Sequence, residues 1–563
     1  MSQPNPSTAM ARALIDELAR GGVRLVVVSP GSRSAALAIA ASEHPMLETR
    51  VALDERSAGF LALGRAKVTG EPSMVISTSG TAPANYFPAV VEADMSLTPL
   101  VVMSADRPSE LRGVGANQTI DQTRLYGAKV RRFIDVPAPE PEDDLNDYWR
   151  SAAAEALARA RGAGGRPGPV HVNVGFREPT VPVADDGRTS SAPYLHSIEG
   201  REDGGPWMVW DPPWPPALPE LGDFGAERPV LVLGEGAYDR ARVMGIAEAS
   251  GWPVLATALS GLRGRGTVTV YHHLLAGGIP SSLRPDLAVV VGAVGPSTRL
   301  ETLIGSARIR VRVDRWGRRL DPERTATDLF HADPVALLDE LANTPVAREW
   351  PARWESAELT ARKAMAEVVD SAPEPSGAST VHALDSAPWE TMVAGSSLPI
   401  REVDAHLTRR GAVIANRGAS GIDGIVSTAR GVASAGTATV ALAGDLSLLH
   451  DQNGLLIEGR EDLVIVVLDN QGGGLFDSLP QAVHAPQYER LFVTPPHRDL
   501  ALLARFHDIP YLTVTDREEL IEAVTSGIEN GGTHMVRVPV DRKIDLEMRK
   551  ALDDAGTQVA SRI

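Results

Sequence analysis

Short apolar segments alternate with alanine-rich helical segments along most of the chain. Arg24–Ser29 (RLVVVS) and Thr49–Leu53 are the first of these apolar segments. Strands that are buried on both faces read as continuous apolar runs, and helices between them cover those faces, so the pattern predicts parallel α/β sheets. The other predicted strands are Ser73–Ser77, Pro99–Ser104, Pro169–Val174, Pro229–Gly234, Trp252–Ala256, Leu287–Gly292, Ile309–Val313, Ala412–Ala415, Thr437–Ala443, Leu463–Leu468 and Met535–Val538.

Two proline-rich breaks divide this pattern. The stretch Pro206–Pro219 has too many prolines for a helix or a central strand, and Ser371–Thr380 is rich in Pro, Ser and Gly. A chain of 563 residues is also too long for one core. We therefore predict three parallel-sheet α/β domains in series. Their bounds are residues 1–185, 228–370 and 371–563, with a Pro/Trp-rich linker over residues 186–227.

Composition excludes several classes of function. The net charge of −17 argues against nucleic-acid binding, which needs a basic face. No apolar run of about 18 residues occurs, so no membrane span is expected. The chain has no cysteine, and residues 1–11 show no secretory signal. These features together predict a cytoplasmic protein.

The candidate functional residues of the third predicted domain directly follow two predicted strands. Thr437–Ala443 is followed by Gly444-Asp445-Leu446-Ser447, and Leu463–Leu468 by Asp469-Asn470 and three glycines after Gln471. Parallel strands place both loops at one edge of the sheet. The Asp445 carboxylate, the Asn470 amide oxygen and the Gly472 carbonyl then offer three of the oxygen ligands that Mg²⁺ prefers.

Each loop alone would be an ordinary turn, but the two together at this spacing favour a metal site. The pair resembles the metal–diphosphate motif of thiamine-diphosphate enzymes. Leu446 replaces the usual glycine and Asp469 the usual first asparagine, whereas the ligand position Asn470 is kept. The resemblance implies that thiamine diphosphate and Mg²⁺ (or Mn²⁺) bind at the following residues: Gly444, Asp445, Leu446, Ser447, Asn470, Gly472 and Gly473.

The same resemblance implies a carboxylic acid beside the pyrimidine ring of the cofactor. Glu55 matches this position, between the predicted strand Thr49–Leu53 and a predicted helix Ser57–Lys67. A lone glutamate at a strand end is otherwise usually a surface residue. In these enzymes the acid bonds a ring nitrogen and lets the cofactor deprotonate its own thiazolium carbon. Ser79 and Gly80 resemble cofactor-binding residues of the same pyrimidine-binding domain, which would here be residues 1–185; residues 371–563 would bind the diphosphate.

Five arginines stand beside Gly or Ser turns. Such an arginine can present its planar fork to a carboxylate, although surface ion pairs are the ordinary alternative. In a net-acidic protein this set predicts a substrate site rich in carboxylates. The five are Arg33, Arg107, Arg299, Arg401 and Arg417.

Longer motifs indicate one particular family among the thiamine-diphosphate enzymes. Pro30–Ser34, Ser104–Pro108, Gly115–Gln118 and above all Asn416–Gly424 resemble the 2-succinyl-5-enolpyruvyl-6-hydroxy-3-cyclohexene-1-carboxylate synthases. The resemblance covers all three predicted domains and is weakest in the middle one. It implies decarboxylation of 2-oxoglutarate and 1,4-addition of the resulting succinyl unit to isochorismate, a step of menaquinone biosynthesis.

The family resemblance also implies roles for single residues. Ser397, Arg401 and Arg417 would bind 2-oxoglutarate, and Arg299 would reach in from the central domain, although Thr298 stands where many members have lysine. The residues that the resemblance implies for binding isochorismate are Ser32, Arg33, Arg107, Asn117 and Gln118. Residues placed around the cofactor are Ile422, Leu475 and Phe476, for which an ordinary core role is an equal alternative.

The acid and the metal motif lie on different predicted domains. The family implies that they meet between chains of a homo-oligomer (a dimer, usually within a tetramer). Another thiamine-diphosphate enzyme, such as a 2-oxoacid decarboxylase or an acetohydroxyacid synthase, is the first alternative. The latter needs a flavin site, for which Gly234-Glu235-Gly236 is only a fragment. A non-catalytic nucleotide-binding protein is a weaker alternative, and nothing favours a structural assembly protein. For His450 and His484 a structural role is favoured.

Overall fold

The computed structural model describes residues 4–181, 192–211, 215–221, 224–372, 375–409, 411–483 and 486–563. Its named strands form three sheets of six, five and six strands. All pairings between these strands are parallel. The predicted class of three parallel α/β sheets is confirmed.

The first sheet lies in the N-terminal part of the chain. Its strands are β1 (Leu25–Val28), β2 (Glu48–Val51), β3 (Ser73–Ser77), β4 (Leu100–Asp106), β5 (Phe133–Val136) and β6 (Pro169–Gly175). Their order across the sheet is β2-β1-β3-β4-β6-β5. The helices of this part are α1 (Pro6–Arg20), α2 (Ala35–Glu43), α3 (Glu55–Thr69), α4 (Thr81–Asn85), α5 (Phe87–Ser96) and α6 (Asn146–Ala160).

The second sheet has five strands in the order β11-β10-β9-β7-β8. These are β7 (Pro229–Leu233), β8 (Val254–Ala256), β9 (Leu287–Val291), β10 (Ile309–Asp314) and β11 (Asp328–His331). The accompanying helices are α7 (Arg240–Ser250), α8 (Tyr271–Leu274), α9 (Thr298–Ser306), α10 (Pro334–Leu341) and α11 (Trp350–Asp370).

The third sheet carries the predicted metal motif. Its strands are β12 (Thr391–Ala394), β13 (Ala412–Ile414), β14 (Thr439–Gly444), β15 (Leu463–Asp469), β16 (Tyr511–Thr513) and β17 (Thr533–Pro539). Their order is β13-β12-β14-β15-β17-β16. The helices are α12 (Gly377–Ser386), α13 (Leu398–His406), α14 (Ile425–Ala433), α15 (Asp445–His450), α16 (Leu500–Phe506), α17 (Arg517–Asn530) and α18 (Arg542–Ala560).

The chain forms two compact units that do not follow chain order. The first unit consists of Met1–Pro213, Asn416–Thr437 and Leu449–Asp462. The second consists of Trp214–Ala415, Ala438–Leu448 and Leu463–Ile563. The predicted bounds at residues 185, 227 and 370 stay a prediction, and parts of both proline-rich breaks lie outside the described residues.

Helix α14 belongs to the first unit, where it packs directly on α3. A Cβ atom at Gly64 would collide with the carbonyl group of Thr428, and one at Gly431 with that of Leu61. Glycine is therefore required on both helices for their backbones to approach this closely. The contact fixes α14 on the helix that begins at Glu55.

Within the described residues, no helix is both long enough and apolar enough to cross a membrane.

Candidate active site

The predicted metal motif lies at the carboxyl edge of the third sheet. Strand β14 ends at Gly444 and pairs with β15, so the loops that follow these strands are neighbours. Asp445 begins α15 and accepts hydrogen bonds from the N–H groups of Gly472 and Leu446, both at 2.8 Å. The structure thus brings the two loops of the motif into contact.

The oxygen atoms of this motif suit a divalent cation. Asn470 Oδ1 is buried and has no hydrogen-bond partner within the described residues. Burial raises the pKa of the Asp445 carboxyl to about 7, and the charge of Asp469 adds to the shift. A bound cation would satisfy the Asn470 oxygen and stabilise the Asp445 carboxylate, so these residues fit Mg²⁺ or Mn²⁺. The metal itself stays a prediction.

A segment further along the chain supports the glycines of the motif. Gly472 has a φ of +130°, and a Cβ atom there would collide with the carbonyl group of Val493. That carbonyl accepts a hydrogen bond from Gly473 N–H at 2.7 Å. Val493 ends a short π-helix, Glu489–Val493, a form that often occurs at functional sites. This segment was not predicted from the sequence, because it acts through its backbone.

The residues predicted to form apolar walls around the cofactor are not fully buried in a hydrophobic core. Ile422, in the first unit, is 39% exposed. Leu475 and Phe476, in the second unit, are half-buried, and Phe476 packs edge-on against Phe492 at 5.7 Å between ring centres. Each side chain therefore keeps apolar surface that a ligand could cover.

The N-terminus of helix α13 has the features of a carboxylate site. Ser397 caps the helix with φ +76° and ψ −125°, a conformation that is rare outside glycine and concentrates at functional sites. Ser396 Oγ is buried without a hydrogen-bond partner in the described part of the chain. Arg401 lies one turn later and donates to the Ser397 carbonyl at 2.6 Å. Helix N–H groups, a buried hydroxyl and a guanidinium together favour an anion. Ser396 was not predicted as a site residue, because only the structure reveals its burial.

Glu55 is the first residue of α3, which begins two residues before the predicted helix start. Asp54 caps this helix by accepting from Arg56 N–H at 2.9 Å. The Arg56 side chain donates to the carbonyl of His450 at 2.7 Å. Glu55 itself is partly exposed and accepts from Asn85 Nδ2 at 3.4 Å. Its backbone is therefore anchored while its carboxyl group remains accessible.

Predicted cofactor and substrate residues meet at the carboxyl edge of the first sheet. Arg107 is 8% exposed and donates to Ser79 Oγ at 2.5 Å and to the Asn117 carbonyl at 2.7 Å. Ser79 Oγ donates to the Gln118 carbonyl at 2.9 Å, and Gln118 Nε2 donates back to the Ser79 carbonyl at 3.2 Å. Gly80 follows at the cap of α4. These contacts form one preassembled cluster.

Arg33 adds a second positive charge near this cluster. Its guanidinium donates to the Phe176 carbonyl at 3.1 Å and pairs with Glu178 at 3.2 Å. Burial lowers the pKa of the Arg107 guanidinium, and the charge of Arg33 lowers it further. An anionic ligand would relieve this repulsion. The neighbouring Ser32 is exposed.

The segment Asn416–Gly424, which contains two predicted site residues, is held by a buried ion pair. Glu92 accepts hydrogen bonds from the N–H groups of Gly418 at 3.0 Å and Ala419 at 2.6 Å. Lys67 neutralises Glu92 at 2.9 Å, and both side chains are buried. This pair was not predicted from the sequence, because charged residues in helical segments are normally solvent-exposed.

Comparisons with known proteins agree with this geometry. The family described as "Thiamine pyrophosphate enzyme, N-terminal TPP binding domain" matches residues 8–125, and the corresponding C-terminal TPP binding domain matches residues 403–538. The 2-succinyl-5-enolpyruvyl-6-hydroxy-3-cyclohexene-1-carboxylate synthase of Thermobifida fusca is 41% identical, with 98% of this chain and 99% of the relative covered. The synthases of Haloarcula marismortui and Saccharopolyspora erythraea are 39% and 38% identical, each with 96% of both chains covered.

The chain belongs to this synthase family. The predicted family, the thiamine-diphosphate-dependent class and the cofactor are thereby confirmed. Glu55 lies within the N-terminal match, and Asp445 and Asn470 lie within the C-terminal match.

Arg299 of this synthase forms a salt bridge with Asp553, another residue of the second unit. Its guanidinium donates to both carboxylate oxygens of Asp553 at 2.7 Å and to the His272 carbonyl at 2.8 Å. Partial burial of Asp553 acts to raise its pKa, but hydrogen bonds from Arg299 and His273 hold that pKa well below its usual value. This two-point pairing favours a structural role, and the predicted substrate contact of Arg299 stays a prediction.

Gly234, the first residue of the segment Gly234-Glu235-Gly236, has a packing explanation in this synthase. Glu235 and Ala293 exchange backbone hydrogen bonds at 2.9 and 2.8 Å. A Cβ atom at Gly234 would collide with the Ala293 carbonyl. This close backbone approach explains the glycine without a flavin site. His450 contributes the carbonyl contact to Arg56 described above, whereas His484 lies outside the described residues.

Proposed function

We propose that this synthase decarboxylates 2-oxoglutarate on thiamine diphosphate and adds the resulting succinyl carbanion equivalent to isochorismate by 1,4-addition. The product is 2-succinyl-5-enolpyruvyl-6-hydroxy-3-cyclohexene-1-carboxylate, an intermediate of menaquinone biosynthesis. The identity of 41% to the Thermobifida fusca synthase over 98% of the chain carries the proposal. The guanidinium groups at two sheet edges support it, because both substrates are dianions. The cytoplasmic location expected from the sequence stays a prediction.

The third-sheet edge would hold the cofactor through its diphosphate. Asp445, Asn470 and the Gly472 carbonyl supply ligands for Mg²⁺ or Mn²⁺, which neutralises the diphosphate charge. When bound there, thiamine diphosphate would supply the nucleophilic carbon and the electron sink that decarboxylation of a 2-oxoacid requires. The Glu55 carboxyl holds a proton at the pyrimidine ring nitrogen.

The two substrates would use different residues. The N-terminus of α13, with Ser397 and Arg401, receives a carboxylate of 2-oxoglutarate, and Arg417 supplies a further positive charge. Arg33 and Arg107 receive the carboxylates of isochorismate, with Gln118 beside them. A preference for dianions follows, since a second carboxylate of the substrate can pair with a further guanidinium group of the site.

An omission assay tests this activity. The purified chain is mixed with thiamine diphosphate, Mg²⁺, 2-oxoglutarate and isochorismate, and the loss of isochorismate absorbance is followed. Each component should be required. Decarboxylation of pyruvate without consumption of isochorismate would instead assign the chain to the 2-oxoacid decarboxylase alternative.

A homo-oligomer with active sites between chains is part of the proposal, and a mixing experiment tests it. Glu55→Gln and Asp445→Asn should each lower kcat by ~100-fold or more, because each removes a charged group from the reaction. If one site takes Glu55 and Asp445 from different chains, co-expressed mixed oligomers regain roughly a quarter of wild-type activity. The separate variants, mixed without subunit exchange, serve as the control. Mixed oligomers without recovered activity would contradict sites shared between chains.

A further inference from the structure

Behind the Ser79–Arg107 cluster lies a buried polar network that the proposed mechanism does not use. Its central members are two amides, Gln122 (1% exposed) and Asn173 (fully buried). Asn173 lies on β6, in register with Ser104 of β4. The network therefore lies under the carboxyl edge of the first sheet.

Gln122 connects this network to the turn before α4. Its Oε1 accepts the N–H of Gly80 at 3.2 Å. Its Nε2 donates to Asn173 Oδ1 at 2.7 Å and to the Ala105 carbonyl at 3.2 Å. The oxygen of the Gln122 amide thus bonds to the predicted site at Gly80, and its nitrogen bonds to residues of strands β4 and β6.

Asn173 links the network to the backbone of Arg107 through the Asp106 carboxylate. Its Nδ2 donates to Asp106 Oδ2 at 2.9 Å and to Asp135 Oδ1 at 2.9 Å. The other oxygen of Asp106 accepts the backbone N–H of Arg107 at 2.7 Å. Arg112 pairs with Asp106 at 3.0 Å and closes this end of the network.

Ser104 and His171 close the other end. Ser104 Oγ donates to Asn173 Oδ1 at 3.0 Å and lies 2.7 Å from His171 Nε2. Burial lowers the pKa of His171 to about 3, so this imidazole is neutral at physiological pH. His171 therefore acts here through its hydrogen bond with Ser104 and not through a change of charge.

We infer that Gln122 and Asn173 are positioning residues, which hold the backbone at Gly80 and Arg107 so that the Arg107 guanidinium is fixed for isochorismate. This inference rests on the proposed function. Amides suit both positions, because each side chain donates and accepts hydrogen bonds in a buried place. A carboxylate at position 173 would face Asp106 and Asp135, and an apolar side chain at position 122 would leave the Gly80 N–H unpaired.

Three variants of the full-length protein test the inference. Gln122→Met keeps the side-chain size and removes all its hydrogen bonds. Gln122→Glu keeps an acceptor for Gly80 but loses the donor to Asn173. Asn173→Leu breaks the path to Asp106. The matched control is Asn146→Leu, which replaces another buried amide of the first unit that donates to the Glu199 carbonyl.

The expected result is a higher KM for isochorismate without a matching change in the KM for 2-oxoglutarate. In Gln122→Met and Asn173→Leu, the KM for isochorismate should rise by about tenfold, the factor for one lost hydrogen bond. The KM for 2-oxoglutarate should stay within about twofold, because its predicted residues Ser397, Arg401 and Arg417 are not among the members of the network described above. Gln122→Glu should lie between these variants and the wild type. Asn146→Leu should lower thermal stability without changing either KM.

Hydrogen exchange gives a second readout that does not need turnover. The amides of Gly80 and Arg107 should exchange faster in Gln122→Met and Asn173→Leu than in the wild type and in Asn146→Leu. Unchanged exchange and an unchanged KM for isochorismate in folded variants would overturn the inference, as would an equal rise of both KM values. A wild-type protein that fails to consume isochorismate would overturn the proposed function instead, and the exchange experiment would then still decide the positioning role.

Discussion

The carboxyl edges of the first and third sheets are built in opposite ways. At the first edge, Arg107 and Ser79 are tied together by direct hydrogen bonds, and two buried amides hold them from behind. At the third edge, Asn470 Oδ1 and Ser396 Oγ have no partner among the described residues. Burial also raises the pKa of Asp445 to about 7.

This difference shows which edge depends on its ligand. A buried polar group without a partner costs about 1–3 kcal/mol, so a ligand that supplies partners to these atoms should stabilise the third edge. The first edge is organised by the protein alone and presents its guanidinium groups in a fixed geometry. Substitutions at the first edge should act with or without ligand, whereas those at the third edge should act on ligand binding.

Glu92→Gln should give the largest loss of stability. It removes the carboxylate that pairs with the buried Lys67 ammonium group and weakens the contacts to Gly418 and Ala419. Breaking one side of a buried pair costs about 3–5 kcal/mol. Thermal unfolding with and without thiamine diphosphate measures the change, which should be equal in both conditions.

The matched control for this substitution is the double variant Glu92→Gln, Lys67→Met. It removes both charges and should recover part of the loss. A single Glu92→Gln variant as stable as the wild type would show that the loop does not depend on the ion pair.

Asp445→Asn should weaken cofactor binding with little loss of intrinsic stability. The amide can keep the contact to Gly472 but loses the charge, which amounts to about 3 kcal/mol or a hundredfold in affinity. Thiamine diphosphate with Mg²⁺ should raise the Tm of the wild type and not that of the variant, and EDTA should abolish the wild-type shift. Asp499→Asn, at the exposed cap of α16, serves as the control. Equal Tm values for wild type with EDTA and with cofactor would contradict the dependence of this edge on its ligand.

Asp451→Asn should change how stability depends on pH. Asp451 is buried between Ser427 and Ser57, and burial raises the pKa of its carboxyl from 3.8 to about 6. The folded protein therefore holds this proton more tightly than the unfolded chain. The resulting stabilisation is complete below pH 3.8 and is lost as the pH rises through 6, by at most about 3 kcal/mol.

Without this group, the variant should gain stability relative to the wild type as the pH rises from 4.5 to 7.5. Unfolding midpoints of both proteins across that range provide the measurement. A constant difference between the two curves would refute the role of Asp451.

Arg299→Lys should give the smallest effect. Lysine cannot pair with both oxygens of Asp553, so a loss of about 1 kcal/mol is expected. The KM for isochorismate should stay within about twofold. A tenfold rise in that KM, at unchanged stability, would restore the substrate role predicted from the sequence.

Interior strands were predictable because both of their faces are apolar. Ser73–Ser77 was predicted with its observed bounds, and the predicted strand Leu463–Leu468 ends one residue before the end of the observed strand Leu463–Asp469. The edge strands Phe133–Val136, Asp328–His331 and Tyr511–Thr513 were missed because their exposed side chains break the apolar run. The buried strand β12 was also missed, because four residues before a Gly-Ser-Ser turn give too short a signal.

The candidate site was predictable only where its chemistry is local in sequence. Asp445 and Asn470 follow neighbouring strands, so their proximity could be inferred from topology. Gln122 and Asn173 are far apart in the chain, and Glu92 contacts a loop more than three hundred residues away. Single-sequence patterns cannot predict such contacts, because each residue looks like an ordinary polar residue in its own segment.

The interleaved course of the chain has a consequence during synthesis. The first unit needs α14 and the segment Leu449–Asp462, which leave the ribosome long after Pro213. At ~5–20 residues per second, the intervening stretch of roughly 200 residues takes about 10–40 s to translate. During that interval the α3 surface around Gly64 has not yet received its partner helix. A nascent chain arrested before α14 should therefore be an aggregation-prone intermediate that chaperones retain.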